Sequence, residues 1–127
     1  MQGRQGDSVT GTLQTPYSPA VKAGDYIFVS GQTGFVEPKT GKNLEGIEAQ
    51  TIQCLNNMES VLKDTGASLS DVVKVTIFLK NEQDFLKVNE IYVTYFVNNK
   101  PARSTVITGL LNPKMLVEIE CIACCSR

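Results

Sequence analysis

Residues 116–124 read LVEIECIAC, and the alternation within them decides the fold. Val117, Ile119, Cys121 and Ala123 make one uninterrupted apolar row of a strand, while Glu118 and Glu120 fall on the opposite row with Leu116 and Ile122. The apolar row requires a layer of helices against it. The second row mixes apolar and acidic groups, as an oligomer interface containing a polar pocket would. Before the turn GLLNPK, residues 103–108 read as another strand, in which Arg103 and Thr105 lie on one side. If that side is the open face of the sheet, a guanidinium and a carboxylate share a surface. Two readings then stand together: a salt bridge tying two strands, or an anion site in which the planar arginine fork takes a ligand carboxylate while a glutamate holds a water.

Working upstream, VVKVTIFLK (residues 72–80) alternates as a strand, with Val73, Val75, Ile77 and Leu79 on one side and Lys74, Thr76 and Phe78 on the other. Asn81 is an N-cap for a helix whose apolar stripe is Phe85, Val88, Ile91, Tyr92, Tyr95 and Phe96, and Asn98, Asn99 and Pro101 stop it. A longer amphipathic helix begins after Gly46 along Ile47, Ile52, Leu55, Met58 and Leu62, and Gly66 closes it. Tyr26 to Ser30 is apolar on both faces and reads as a buried strand, reached through Val21 to Gly24. Gly31 and Gly34 mark a bulge or bend rather than a phosphate loop, because no Lys-Ser/Thr and no immediate helix follow. VTGTLQ (residues 9–14) is a candidate short strand, TPYSP an extended stretch or turn, and FVEPKTGKN a loop. Strands interleaved with two amphipathic helices predict an α+β two-layer sandwich: one mixed six-stranded sheet with both helices on one face.

The 127 residues fit one domain spanning 1–127, large enough to remove roughly two-thirds of the unfolded chain's surface from water. No apolar run approaches the ~20 residues of a membrane span, and the polar start MQGRQGDSVTG reads as a frayed terminus rather than a secretion signal. A water-soluble, cytoplasmic protein is expected, with no membrane partner. Twelve Lys/Arg against thirteen Asp/Glu, with no basic stripe, make nucleic acid a poor default partner. Histidine is absent, which removes the commonest general base and the Ser-His and Cys-His nucleophile pairs. Chemistry here must use carboxylates, hydroxyls, thiols, backbone groups or water. Of the four cysteines, Cys121 and Cys124 point to opposite faces of a strand and do not chelate one ion, so no metal is expected; Cys54 reads as a small apolar filler on the first helix.

VSGQTG (29–34), VNEIY (88–92), PARSTV (101–106) and VEIECIA (117–123) together resemble the RidA/YjgF family, over nearly the whole chain and in the family's order. That family includes enamine/imine deaminases and proteins called L-PSP endoribonucleases or translation inhibitors. The resemblance implies a chorismate-mutase-like sandwich, a homotrimer with clefts between subunits, and no cofactor. It implies that Arg103 grips a substrate carboxylate and that Glu118 positions the attacking water. Tyr17, Ser30, Gly31 and Asn89 would line the cleft, with the backbone at Thr105 holding the imine nitrogen. Thr105 stands where active members often carry cysteine, and Lys100 where an aromatic commonly precedes the proline. The implied reaction is hydrolysis of 2-imino acids such as 2-aminoacrylate to 2-keto acids and ammonia. The alternatives are a non-catalytic ketoacid-binding trimer and an RNA-directed role. For Tyr17, Ser30 and Asn89, packing, backbone satisfaction beside a bend, and solvation are the plainer readings.

Overall fold

A computed structural model describes residues 7–9 and 16–125. Its elements in chain order are β1 (Asp7–Val9), β2 (Ala20–Ala23), β3 (Tyr26–Thr33), α1 (Ile47–Asp64), β4 (Val72–Leu79), α2 (Phe85–Tyr95), β5 (Ala102–Ile107) and β6 (Val117–Cys124), with single 3-10 turns before β4 and before α2. The body of the sheet is five strands in the order β2-β3-β6-β4-β5, and the three-residue β1 extends it at the β2 edge. Of the strand expected at residues 9–14, only Val9 is in β1; residues 10–14 lie outside the described residues, as do residues 1–6 of the expected frayed start.

The sheet is mixed for a topological reason. β4 and β5 are parallel neighbours, so the chain must cross over between them, and α2 is that crossover. β6 inserts antiparallel between β3 and β4, which places the last strand at the centre. α1 packs on β3 and β6, and α2 lies against α1. One apolar core results: Ile27, Val75, Ile77, Leu79, Val117, Ile119 and Ala123 from the sheet meet Cys54, Leu55, Met58 and Leu62 from α1 and Val88, Ile91, Tyr92 and Phe96 from α2's end of the layer. The apolar row of β6 therefore faces the helices, as its alternation predicts.

Glycine ends α1 by geometry. Gly66 has φ +86°, and the left-handed turn lets the Gly66 and Ala67 N–H groups donate to the carbonyls of Lys63 and Leu62. At the other end, Gln50 is buried at 2% exposure and fully bonded. Its Nε2 donates to the carbonyls of Leu44 (2.9 Å) and Lys114 (2.8 Å), and its Oε1 accepts from the Leu116 N–H (2.9 Å). A helix side chain thus fixes both the loop before α1 and the entry to β6.

Three expectations need correction. Tyr26 and Phe28 are 48% and 46% exposed, so β3 is buried on one face only; Ile27 and Val29 fill the helix side and no layer covers the other. Val73 is exposed because the β4–β6 register shifts between Val72 and Lys74, which hands its buried place to Val72. Ile52 likewise sits at the solvent edge of α1, where Thr51 and Cys54 turn inward instead. The expected bulge near Gly31 is present, as a register shift between Val29 and Gln32.

Candidate functional site

β5 is the edge strand, and its face is dictated by its neighbour. Val75 pairs with Arg103 and Ile77 with Thr105, and in a parallel pair opposed residues share a face. Val75 and Ile77 are core residues, so Arg103 and Thr105 point to the helix side and not to the open face. Asn99 helps set this register, its Nδ2 donating to the carbonyls of Leu69 (3.1 Å) and Val72 (3.3 Å) at the start of β4. The guanidinium of Arg103 lies over the ring of Tyr92 at 4.9 Å and near that of Phe85 at 5.8 Å. These cation–π contacts hold a charge without neutralising it. Among the described residues Arg103 has no ion-pair or hydrogen-bond partner, and the one ion pair is Lys87–Glu90.

Phe85, Asn89 and Tyr92 recur at helical spacing on one face of α2. That face carries unpaired polar atoms: Asn89 Oδ1 and Tyr92 Oη are buried without a hydrogen-bond partner, as is Thr105 Oγ1 on β5. Buried orphans are rare because each costs its desolvation. Here Tyr92 carries the unneutralised guanidinium on its ring, and Thr105 lines the same cavity as Arg103. Burial raises the Tyr92 pKa, with the Arg103 charge pulling the other way, so Tyr92 is a neutral phenol near pH 7. An open cavity of about 800 Å³ adjoins this cluster, lined by Arg103, Thr105 and Ile107 from β5 and by Phe85 and Leu86 from α2, with Glu82 and Gln83 at the rim.

Glu118 belongs to a second cluster. It sits on the open face of β6, opposite Phe78 of β4 and Thr33 of β3. Its carboxylate lies on Gly31: an added Cβ there would collide with Oε2 and stand 2.9 Å from Cδ. The missing Cβ is what admits the carboxylate to the bulge of β3. Burial first, and the Glu120 charge second, raise its pKa. With Glu120 it lines a hollow of about 440 Å³ closed by Phe78 and the Thr108–Leu111 turn. Ser30, next to Gly31, donates its Oγ to the Ser18 carbonyl (2.6 Å) and its N–H to the Pro19 carbonyl (2.9 Å). Ser30 therefore satisfies backbone groups and fastens the stretch that carries Tyr17, whose ring is 63% exposed.

The structure thus gathers the expected residues into two groups: Arg103, Thr105 and Asn89 with α2, and Glu118, Gly31 and Ser30 on β6 and β3. Within one chain, Arg103 and Glu118 are on opposite faces of the sheet, which corrects the shared surface expected from strand parity. Parity gives which residues share a side but not which side. The aromatic seat of the guanidinium, Phe85 and Tyr92, has the same periodicity as core; the one signal that sets it apart is Asn89, a polar residue inside that apolar stripe. Neither Cys54 nor Cys121 adds a nucleophile. Cys54 is buried, donating to the carbonyls of Gln32 (3.1 Å) and Val117 (3.7 Å), and burial raises its pKa. Burial, then the Glu120 charge, pushes Cys121 up to about 12.

This fold belongs to a known class. The family model Endoribonuclease L-PSP matches residues 11–125, and the chain belongs to that family, whose members carry the names RutC, RidA and YjgF. Over 109 residues it is 48% identical to a RutC family protein of Pyrococcus horikoshii, covering 85% of this chain and 86% of that one. It is 50% identical over 109 residues to the chloroplastic Reactive Intermediate Deaminase A of Arabidopsis thaliana, covering 85% of this chain and 58% of that longer one. A 2-iminobutanoate/2-iminopropanoate deaminase of Dermatophagoides farinae is 41% identical over 108 residues, 84% of each chain. Among solved structures, E. coli TdcF with bound serine superposes with a TM-score of 0.82 at 31% identity, covering 96% of this chain and 94% of that one.

Proposed function

We propose that this protein is a cofactor-free, homotrimeric deaminase that hydrolyses 2-enamine and 2-imino acids, such as 2-aminoacrylate, to 2-keto acids and ammonia. The observation that carries the reading is the Arg103 guanidinium, stacked on Tyr92, unneutralised among the described residues, and opening on a cavity. Such a group is a bidentate seat for a carboxylate. The names of the Arabidopsis and Dermatophagoides relatives support the reaction, and the serine bound to E. coli TdcF supports a small carboxylate ligand.

The two clusters are halves, and association is how they are joined. The open sheet face carries Tyr26, Phe28 and Val106, 43–48% exposed, beside Phe78 and Ile122, a contiguous apolar row of the kind that marks an interaction surface. In the trimer one subunit's Arg103, Thr105 and Asn89 face the partner's Glu118, Gly31, Ser30 and Tyr17 across the cleft. Arg103 fixes the acid group of the substrate. Glu118, with its raised pKa, takes a proton from water as the oxygen attacks C2 of the imine and passes it to the nitrogen; the hydroxyl proton of the resulting 2-amino-2-hydroxy acid then goes through Glu118 to the same nitrogen as the C–N bond breaks, the carbonyl forms and ammonia leaves. The Thr105 backbone holds that nitrogen. An imine carbon is already electrophilic, so orientation supplies much of the acceleration and no histidine is required. All cysteines among the described residues are free thiols, which fits a reducing cytoplasm.

The test generates 2-aminoacrylate with a serine dehydratase and follows ketoacid release. Acceleration by this protein that is lost in Arg103→Ala and in Glu118→Gln is expected; no acceleration, or an unchanged rate in Arg103→Ala, overturns the reading. Because Arg103 and its cavity are complete without Glu118, a ketoacid-binding trimer is the second reading. Tight ketoacid binding without turnover would establish it. RNA cleavage that tracks Arg103 or Glu118 would instead establish an RNA-directed activity.

A further inference from the structure

The bulge of β3 that seats Glu118 is held from behind by α1. After Val29 the register of β3 on β6 slips, so Ser30 and Gly31 stand out before pairing resumes at Gln32↔Ile119 and Thr33↔Glu118. The carbonyls of this stretch are taken up by side chains. Gln32 Nε2 donates to the Ser30 carbonyl (3.0 Å), the Cys54 thiol to that of Gln32 (3.1 Å), and Asn57 Nδ2 to that of Thr33 (2.9 Å). Cys54 and Asn57 are neighbours one turn apart on α1. The helix comes close enough to reach because Gly34 has no Cβ, which would meet the Gln50 carbonyl and the Cys54 nitrogen. The Asn57 amide can face only one way. Thr33 offers a carbonyl, so Asn57 turns its NH2 to it, and its Oδ1 is left to accept from Gln53 Nε2 at 2.7 Å, one turn earlier. Thr33 is the residue opposite Glu118, and the Glu118 carboxylate rests on Gly31, two positions back along the same strand. Tether and carboxylate are close: burial first and the Glu118 charge second raise the pKa of the Cys54 thiol.

We infer that Asn57, oriented by Gln53, is a positioning residue for Glu118: by holding the Thr33 carbonyl it fixes the bulge on which the carboxylate rests, and with it the place of the attacking water. Its effect on turnover rests on the deaminase reading; its hold on the carboxylate does not. The seat of the substrate's acid group is built from β5 and α2, with β6 and β4 between β5 and β3, so loosening the bulge leaves that seat intact.

The experiment has two arms on the intact protein. In the 2-aminoacrylate assay, Asn57→Ala should lower kcat about tenfold, and Gln53→Ala, which keeps the Asn57 side chain and frees it to turn, about threefold. Pyruvate affinity, measured calorimetrically, should stay within about twofold of the parent, as expected when an interaction with the reacting water and not with the bound acid is lost. In a Glu118→Gln background Asn57→Ala should cost nothing further, because the two residues act as one unit. Asn56→Ala, which removes the acceptor of the Tyr95 hydroxyl (2.7 Å) elsewhere on α1, should leave kcat unchanged. An equal loss in both backgrounds, or a kcat unmoved in Asn57→Ala and Gln53→Ala alike, overturns the inference. Should Asn57→Ala not fold, Gln53→Ala carries both arms. The second arm needs no turnover. The Glu118 carboxyl, identified by its loss in Glu118→Gln, is titrated by carboxyl-carbon NMR. It should titrate above 4.5 in the parent and fall back toward 4.5 in the Asn57 and Gln53 variants as it leaves its buried seat. Among the described residues the other charged side chains on that face of the sheet are Glu120 of β6 and Lys74 of β4, and these variants touch neither. If the parent consumes no imine and this shift is seen, the positioning stands and only the deaminase reading fails. A Glu118 titration unmoved by both variants overturns the inference whatever the rates.

Discussion

The two faces of the sheet come from the same strands and the same alternation, yet they are finished to different degrees. On the helix face, Ile27, Val75, Ile77, Leu79, Val117, Ile119 and Ala123 are at 0–1% exposure, closed by α1 and α2 of the same chain. On the open face, Tyr26 and Phe28 stay nearly half exposed, and Glu118 and Glu120 stand among them. One face is completed by folding; the other is left uncovered by this chain. Stability and chemistry are accordingly separable, since the carboxylate lies where the chain is unfinished and the guanidinium lies at the rim of the finished side.

Neighbouring residues on β3 give the sharpest test of that contrast. Ile27→Ala should cost about 2–5 kcal/mol in urea or thermal unfolding, because a fully buried side chain leaves a cavity. Phe28→Ala should cost a lone chain less than about 1 kcal/mol but weaken association, read by sedimentation. Equal destabilisation with no change in assembly would erase the distinction.

Next in size is Gly31→Ala. The added Cβ meets only the far end of a flexible glutamate, so the fold should survive within about 1 kcal/mol while the displaced carboxylate lowers deaminase kcat by about 10- to 100-fold. Gly34→Ala provides the contrast, because there the Cβ would meet the Gln50 carbonyl and stand 2.8 Å from the Cys54 nitrogen, backbone that does not yield. That variant should lose stability by at least about 1–3 kcal/mol.

A smaller effect separates the ring of Tyr92 from its hydroxyl. Tyr92→Leu should raise KM about threefold to tenfold through loss of a cation–π seat worth about 0.5–1 kcal/mol or somewhat more when shielded. Tyr92→Phe keeps the ring and removes an unpaired buried oxygen, so it should retain KM and be neutral or slightly stabilising in Tm.

The smallest effect is electrostatic. The Glu118 pKa is raised above its ordinary 4.5, first by burial and then by Glu120, so the folded state favours the protonated form. Its contribution to stability is present below pH 4.5 and is lost as pH rises through the higher folded-state value. Glu118→Gln should therefore melt about 1–3 °C above the parent at pH 7, and the difference should vanish below pH 4.5. A lower Tm at pH 7 would show that the ionised carboxylate is held by a favourable contact.

Much of this was legible in the residues. The rows of β6, the stripe of α2, the close of α1 at Gly66 and the bulge beside Gly31 follow from local periodicity and glycine placement. Arg103's side of the sheet does not, because β5 alternates in the same way whichever face it presents, and only its parallel register with β4 decides. Tyr26 and Phe28 misled because apolar content says that a surface avoids water without saying whether the same chain covers it. Val73 misled because a one-residue shift inverts alternation. Gln50 left no pattern at all, since its three partners are backbone groups in two loops distant in sequence.

That last side chain has a further effect. The Leu116 N–H bound by Gln50 lies two positions before Glu118, so the strand bearing the carboxylate takes its starting point from the first turns of α1. Replacing that single amide by an apolar side chain would strip three backbone groups of their partners, so the loop before α1 and the entry to β6 would lose a common anchor together.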